Sequence, residues 1–547
     1  MNRAVLVISG ILATLVVAVG VLVVVLVATG GDSNDSSDPK VEGELRLVGA
    51  EPITLDPAIA QDASSAVYIV EIFDGLVTLD PDLNIQADLA TELPTVENGG
   101  KVVNADGTVT YTFRLRPGLL FHDNKPVTAD DVKFSIERAA DPATQSLVSQ
   151  FFLGDIVGFD EKLNGDAEEI SGIQAVDATT VTITIETDLP SFLYKLTYPT
   201  AFVVDRTQVE RDDNWTRHPN GTGAFELDEW RLGERIVLKA NENYHLGAPS
   251  VKSVRYLLTG NSITLYESGE IDVAGVALDD LGRVQDPAED LNADYRSGER
   301  LALDYLGFNT NSEPFSDPLV RQAFAMAIDK EQIASAIFKG AVPVANSIDI
   351  PGMPAYNPNA QAPQFDAERA RQLLEDSTYG GADGLPPIVF AESGTGATSG
   401  PGTVAIIDMW RENLGVDVEI QQAESATFFQ DVASGKYQAF ILGWIMDYPD
   451  EENLFNLHFD SESANNDTFY NNPEVDTLLR DALKQTDQQQ RIQLYQQAEQ
   501  IILDDVPWFP LFHDRYHLLV KPYVQNYLVP SAVVERLRFI TLGQPAP

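Results

Sequence analysis

The sequence predicts a mixed α/β fold of two or three lobes behind an N-terminal transmembrane helix. Three observations predict it: a charge-free apolar leader, strict alternation of apolar and polar residues early in the body, and a strand–helix–strand–helix–strand order later on. At 547 residues the chain is also longer than one hydrophobic core usually organises.

The leader comes first. Ala4 to Ala28 carries no charge and is dominated by Val, Leu and Ile. At about 1.5 Å per residue it is long enough for the roughly 30 Å hydrocarbon core of a bilayer, and it exceeds the roughly 7–15 residues of a secretory h-region. Arg3 precedes it, and Asp32, Asp35 and Asp38 follow. The positive-inside rule then leaves the start in the cytoplasm and the body outside. We expect residues 1–29 to be an uncleaved signal anchor. A long signal peptide cut near Thr29 or Gly30 is the alternative, and either exports the body. Residues 30–40 are small and polar and read as a tether.

The body begins strand-rich. Val109, Tyr111, Phe113 and Leu115 alternate with Thr110, Thr112 and Arg114, as a half-buried strand requires. Val181, Ile183 and Ile185 repeat the pattern. Between them Thr128 reads as an N-cap, with Asp130 and Asp131 in the first turn and Val132, Ile136 and Ala139 as a helical stripe. Further on, Asp317-Pro318 reads as a cap with proline at the first helical position, followed by an apolar face from Leu319 to Ile328. Asp329 with Gln332 caps a second helix that stops at Gly340. Ile388 to Phe390 reads as a strand, Thr403 to Leu414 as a helix, and Val416 to Ile420 as a strand. Thr427 to Ala433 is a short helix and Tyr437 to Trp444 an apolar strand, an order that implies a partly parallel sheet. Leu494 to Ile502 marks a last long amphipathic helix.

Composition narrows the function. Acidic residues outnumber basic ones 83 to 36, giving a net charge of −47. Such a body repels phosphate backbones, so no nucleic-acid partner is expected. There is no cysteine, which excludes disulfides, thiolate metal sites and a cysteine nucleophile. The six histidines are dispersed, with only His513 and His517 four apart, in a segment that reads as strand. No phosphate-binding P-loop, HExxH or GxSxG motif occurs. We therefore expect no enzyme activity, no cofactor and no metal site. In lobed α/β proteins a cleft between lobes is the default place for a ligand.

Tyr111 to Arg138 reads YTFRLRPGLLFHDNKPVTADDVKFSIER. This segment resembles the hallmark of the dipeptide, oligopeptide and nickel family of ABC-transporter solute-binding proteins, family 5. Further segments are similar to the family in order: NGTGAF at 220–225, NENY at 241–244, SGEID at 268–272, the run through Leu306 to Ile333, GWIMDYPD at 443–450, and the tail from Tyr470 through Arg491 to Pro510. The resemblance implies a three-lobed, periplasmic-binding-protein-like type II fold. It assigns 41–81, 186–299 and 516–547 to lobe I, 82–185 to lobe II and 300–515 to lobe III. It also implies a monomer that closes on a peptide or other small solute and delivers it to ABC permease and ATPase subunits.

The resemblance nominates three ligand-binding residues. Asp447, three residues after Trp444, stands where peptide-binding relatives hold the peptide ammonium; a turn aspartate in Asp447-Tyr448-Pro449-Asp450 is its plainer reading. Trp444 walls a side-chain pocket or packs in the core. Asp56 and the residues after it lie where the first lobe lines the cleft, and backbone pairing with an extended peptide suits that position. His122 and Asp123 read as exposed structural loop residues, Arg321 as half of an ion pair within its lobe, and Trp215, Trp230 and Trp508 as core. The basic groups that meet a peptide carboxylate in relatives are absent from Ala439–Leu442 and from the loop Ser393–Gly400. Lys339 and Lys436 are the substitutes available. Oligosaccharides, metal chelates, cationic peptides and a sensory ectodomain with the same fold therefore stay open.

Overall fold

The computed structural model describes residues 42–394, 398–528 and 536–543. From the N-terminal side come β1 (Glu44–Val48) and a hairpin of β2 (Val77–Leu79) and β3 (Ile85–Ala87). Next, β4 (Lys101–Val103), β5 (Val109–Arg114), β6 (Ile173–Asp177) and β7 (Thr180–Ile185) form an antiparallel sheet in the order β4-β5-β7-β6. β8 (Phe225–Arg231), β9 (Arg235–Ala240) and β10 (Ser253–Leu257) join β1 in a second sheet, in the order β1-β10-β9-β8. The largest sheet holds β11 (Val273–Gly275), β12 (Tyr295–Phe308), β13 (Ile388–Ser393), β14 (Val418–Ala423), β15 (Ala439–Ile445) and β16 (Trp508–Val520), in the order β11-β16-β12-β15-β13-β14.

The alternation in β5 and β7 works as expected. Val109, Tyr111 and Phe113 face Ile185, Ile183 and Val181 in register, and all six are buried. Val132, Ile136 and Ala139 of the Ala129–Ala139 helix close that core. The helix is capped at its start: Thr128 donates its backbone N–H and its hydroxyl to Asp131 Oδ2 at 2.9 and 2.7 Å. Asp317 caps Pro318–Met326, and Asp329 caps Lys330–Gln332, which continues as a π-turn through Ile337. The C-terminal part is partly parallel as its order implied, with β13 parallel to both β14 and β15.

The six-stranded sheet is packed on both faces. Leu301, Leu303, Tyr305 and Phe440 point into a core shared with Tyr495 and Ile502 of the Gln488–Asp505 helix. Leu306, Phe308, Phe390 and Ala439 point into another, with Phe324 and Trp410. The β1 sheet rests on the Ala63–Ile72 helix. Val41–Pro547 forms one compact unit. The anchor expected over 1–29 and the tether over 30–40 lie outside the described residues. Among the described residues no helix is long and apolar enough to cross a membrane.

Candidate functional site

Trp444 lies in β15 and Asp447 in the segment just after it, whereas Asp56 lies in the loop before the Ala63–Ile72 helix. β12 fixes the register of β15, pairing Leu303 with Trp444, and Met446 N–H donates to Leu301 C=O at 2.8 Å. Beyond that bond the chain turns, and Asn453 clamps the turn. Its Oδ1 accepts from Asp447 N–H at 2.8 Å, and its Nδ2 donates to Asp447 Oδ2 at 2.9 Å. Asn453 is fully buried, so the clamp is rigid. Arg491 grips both oxygens of Asp450 at 2.6 Å and donates to Ala482 C=O at 3.1 Å, which ties the turn to the Gln488–Asp505 helix.

Asp447 is half-buried and has no ion-pair partner among the described residues. Burial pushes its carboxyl up to about 7, against the opposing pull of the Asn453 amide. Its charge reaches Tyr198, whose hydroxyl burial pushes well up, with Asp447 and then Asp62 adding to the rise. The Tyr198 ring stacks on Phe152 at 3.6 Å, and its hydroxyl lies 3.5 Å from Ala60 C=O. Asp447 and the Asp56–Asp62 loop thus approach the same tyrosine.

Asp56 itself is committed elsewhere. Arg138 donates to both its oxygens at 2.8 and 2.5 Å, and Ala58 N–H donates to Oδ1 at 3.0 Å. The side chain shapes its own loop, so what the loop offers a ligand is backbone.

Trp444 is half-buried in β15, three residues before Asp447. Its indole N–H is buried without a hydrogen-bond partner. Its ring stands edge-on to His458 at 4.4 Å, and His458 in turn lies 4.8 Å from Trp508. Burial pushes His458 down to about 4, so the stack is neutral at pH 7. Trp444 packs against the core of the six-stranded sheet while staying partly exposed.

Partners from the N-terminal half that the sequence did not nominate complete the surroundings. Tyr448 is buried, with Tyr194 stacked at 6.0 Å and Phe152 edge-on at 6.3 Å. Lys195 donates to Asp155 and Glu452, both at 2.7 Å, with side chains of Lys195 and Glu452 each 4% exposed. Asn453, six residues after Asp447 in the same acidic turn, could have been suspected from local Asx chemistry. Tyr198 and Lys195 could not, because only the tertiary fold brings them to the turn.

Several other expectations are corrected. His122 is half-buried: its Nε2 is 3.0 Å from Gly223 C=O, and its Nδ1 accepts from Gly221 N–H at 3.2 Å. Two of the family-like segments, around 122 and 220–225, therefore lock together. Arg321 donates to the carbonyls of Asp505 and Phe315, both at 2.8 Å, instead of pairing with a carboxylate. Lys339 and Lys436 are exposed beside Asp279 (3.6 Å) and Asp431 (2.5 Å), so neither stands free to clamp a ligand carboxylate. Trp215 and Trp508 are core, whereas Trp230 is half-buried, donating to Glu51 Oε1 at 2.5 Å beneath the Arg217 guanidinium.

The model of bacterial extracellular solute-binding proteins, family 5 Middle, matches residues 84–466. The periplasmic oligopeptide-binding protein OppA of Salmonella typhimurium is 29% identical over 537 residues, covering 93% of this chain and 95% of that one. A probable deoxycholate-binding periplasmic protein, YgiS of Escherichia coli, is 28% identical over 496 residues, covering 87% and 89%. Among solved structures, the murein tripeptide binding protein MppA of Escherichia coli superposes with a TM-score of 0.78 at 25% identity, covering 91% of this chain and 98% of that one.

Proposed function

Because the chain belongs to the bacterial extracellular solute-binding proteins, family 5, we propose that it captures a peptide-like solute through the solute's ammonium group and passes it to the permease of an ABC importer. The observation that carries this reading is the Asp447 carboxylate: half-buried, clamped by one amide, and without a cation among the described residues. A carboxylate held that way gains most from a desolvated ammonium, which supplies both the opposite charge and the hydrogen bonds. Trp444 offers apolar surface beside it, and the Asp56–Ala60 backbone offers hydrogen-bonding groups to an extended chain. The likeness to an oligopeptide-binding and a tripeptide-binding protein supports the solute class.

The finer architecture is part of the same proposal. It divides the body into lobes at 41–81 with 186–299 and 516–547, at 82–185, and at 300–515; the two four-stranded sheets fall within the first two, and the six-stranded sheet joins the third to the first through β11, β12 and β16. The body works outside the cytoplasmic membrane as a monomer, tethered by residues 1–29, and does no chemistry on its guest. The absence of a basic residue at 439–442 and 393–400 favours peptides whose far end is long, amidated or cationic over compact zwitterions.

Calorimetric titration of the 41–547 body with a peptide of four or five residues, against the same peptide N-acetylated, tests the reading. Acetylation and Asp447→Asn should each weaken binding by about 10- to 100-fold, and together by little more than either alone. Equal affinity for both peptides in the unchanged protein would remove the ammonium assignment.

A further inference from the structure

The fold gathers one of the dispersed histidines with two aspartates. Asp74 follows the Ala63–Ile72 helix, Asp88 follows β3, and His245 lies in the loop after β9. His245 Nε2 is 2.7 Å from Asp88 Oδ1, and Nδ1 on the other side of the ring faces Asp74 Oδ2 at 4.0 Å. One ligand atom from each of the three residues lies within 4.8 Å of the others. Asp74 and Asp88 are 3% and 2% exposed.

Asp74 Oδ2 is buried without any hydrogen-bond partner, and its other oxygen has the Tyr244 hydroxyl at 3.4 Å. A buried carboxylate oxygen with nothing to accept from is costly. Burial pushes both carboxyls up to about 7 and pushes the imidazole down. Two cations act on the cluster: Arg116 donates to the carbonyls of Ala87 and Asp88, and the charge of Arg538 pulls against the rise of both carboxyls and opposes protonation of the imidazole.

We propose that Asp74, Asp88 and His245 form a site for a divalent first-row transition-metal ion. The 4.0 Å gap between Nδ1 and Asp74 Oδ2 leaves space for an ion between them, and closing it by about 0.6 Å gives the roughly 3.4 Å spacing of tetrahedral ligands bonded at about 2.1 Å. Asp88, on the opposite ring nitrogen, then stands as the carboxylate that orients a metal-bound imidazole. A donor set with imidazole nitrogen selects zinc, nickel or cobalt over calcium or magnesium. The ion would staple the segment after the first helix to β3 and to the β9 loop. No hydrogen bond or ion pair among the described residues joins the trio to Asp447, Trp444 or Asp56, so the ion acts apart from solute capture.

The 41–547 body, stripped with a chelator and titrated with zinc or cobalt chloride, should take up one ion per chain with micromolar affinity and a raised melting temperature. His245→Ala and Asp74→Asn should each lower that affinity by about 10- to 100-fold. Cobalt-edge absorption of the unchanged protein should report one imidazole in an otherwise oxygen-rich shell, a readout that needs no variant to fold. Uptake of less than one ion per chain, or a cobalt shell without imidazole, overturns the site. So does unaltered affinity in Asp74→Asn, which keeps the shape of the side chain.

Discussion

Asp447 can hold an ammonium only while it is ionised, and its raised pKa puts that condition in the working range. With the carboxyl at about 7 in the empty protein, a growing share is neutral as pH drops below 7. Binding a cation favours the anion, so the bound form holds its proton less tightly than the free form. Affinity should therefore fall by up to about tenfold per pH unit from pH 7 toward pH 5. Above about pH 8 it should fall again as the α-amino group of the peptide loses its proton. Titrations at pH 5, 6, 7 and 8 give the profile, and Asp447→Asn should abolish its acid limb. A neutral sugar bound through Trp444 would show no acid limb in either protein.

The turn from Asp447 to Asn453 keeps its shape because the Gln488–Asp505 helix braces it through Arg491. Asp450 and Arg491 are both buried, and Glu451 lies 3.7 Å from the same guanidinium. Arg491→Met keeps the apolar stem and removes the charge, leaving two adjacent carboxylates inside the protein. We expect a loss of about 3–5 kcal/mol in urea unfolding, with much of it recovered when Asp450→Asn is added. An unchanged urea midpoint in the single variant would mean that the turn does not depend on this brace. Strands β5 and β7 were legible in the sequence because each has one buried and one polar face. β12 was not: its first six residues, Tyr295–Arg300, show no period, and its second half is apolar without alternation, apart from the exposed Asp304, because the sheet is packed on both faces. Asp447 and Trp444 were nominated through a local motif. Tyr198, Lys195 and the Asp74–Asp88–His245 trio were not, because their chemistry exists only after distant segments meet.

Across the molecule, burial has left many carboxyls holding protons that an unfolded chain would release. Glu71, Asp74, Asp88, Asp447 and Glu451 are all raised to about 7, each chiefly by burial. An unfolded Asp or Glu titrates near 4, so around pH 7 the folded state binds more protons than the unfolded one, and stability falls as pH rises through that value. Two buried histidines oppose this, but lower down: His458 and His513, depressed to about 4, destabilise the fold only as pH falls below about 6.5. Lys330 opposes it above pH 7. Its amino group, bonded to the Ala345 and Pro510 carbonyls and pushed down to about 7 by burial, is one group against five. The melting temperature of the metal-free, ligand-free body should accordingly drop by a few degrees between pH 6.5 and pH 8. Zinc should flatten the part of that drop that belongs to Asp74, and an amine-bearing peptide the part that belongs to Asp447, since each ligand replaces the proton its carboxylate otherwise keeps. A melting temperature that rises over this interval would mean that the buried carboxyls are ionised in the folded protein, with partners for Asp74 and Asp447 in place.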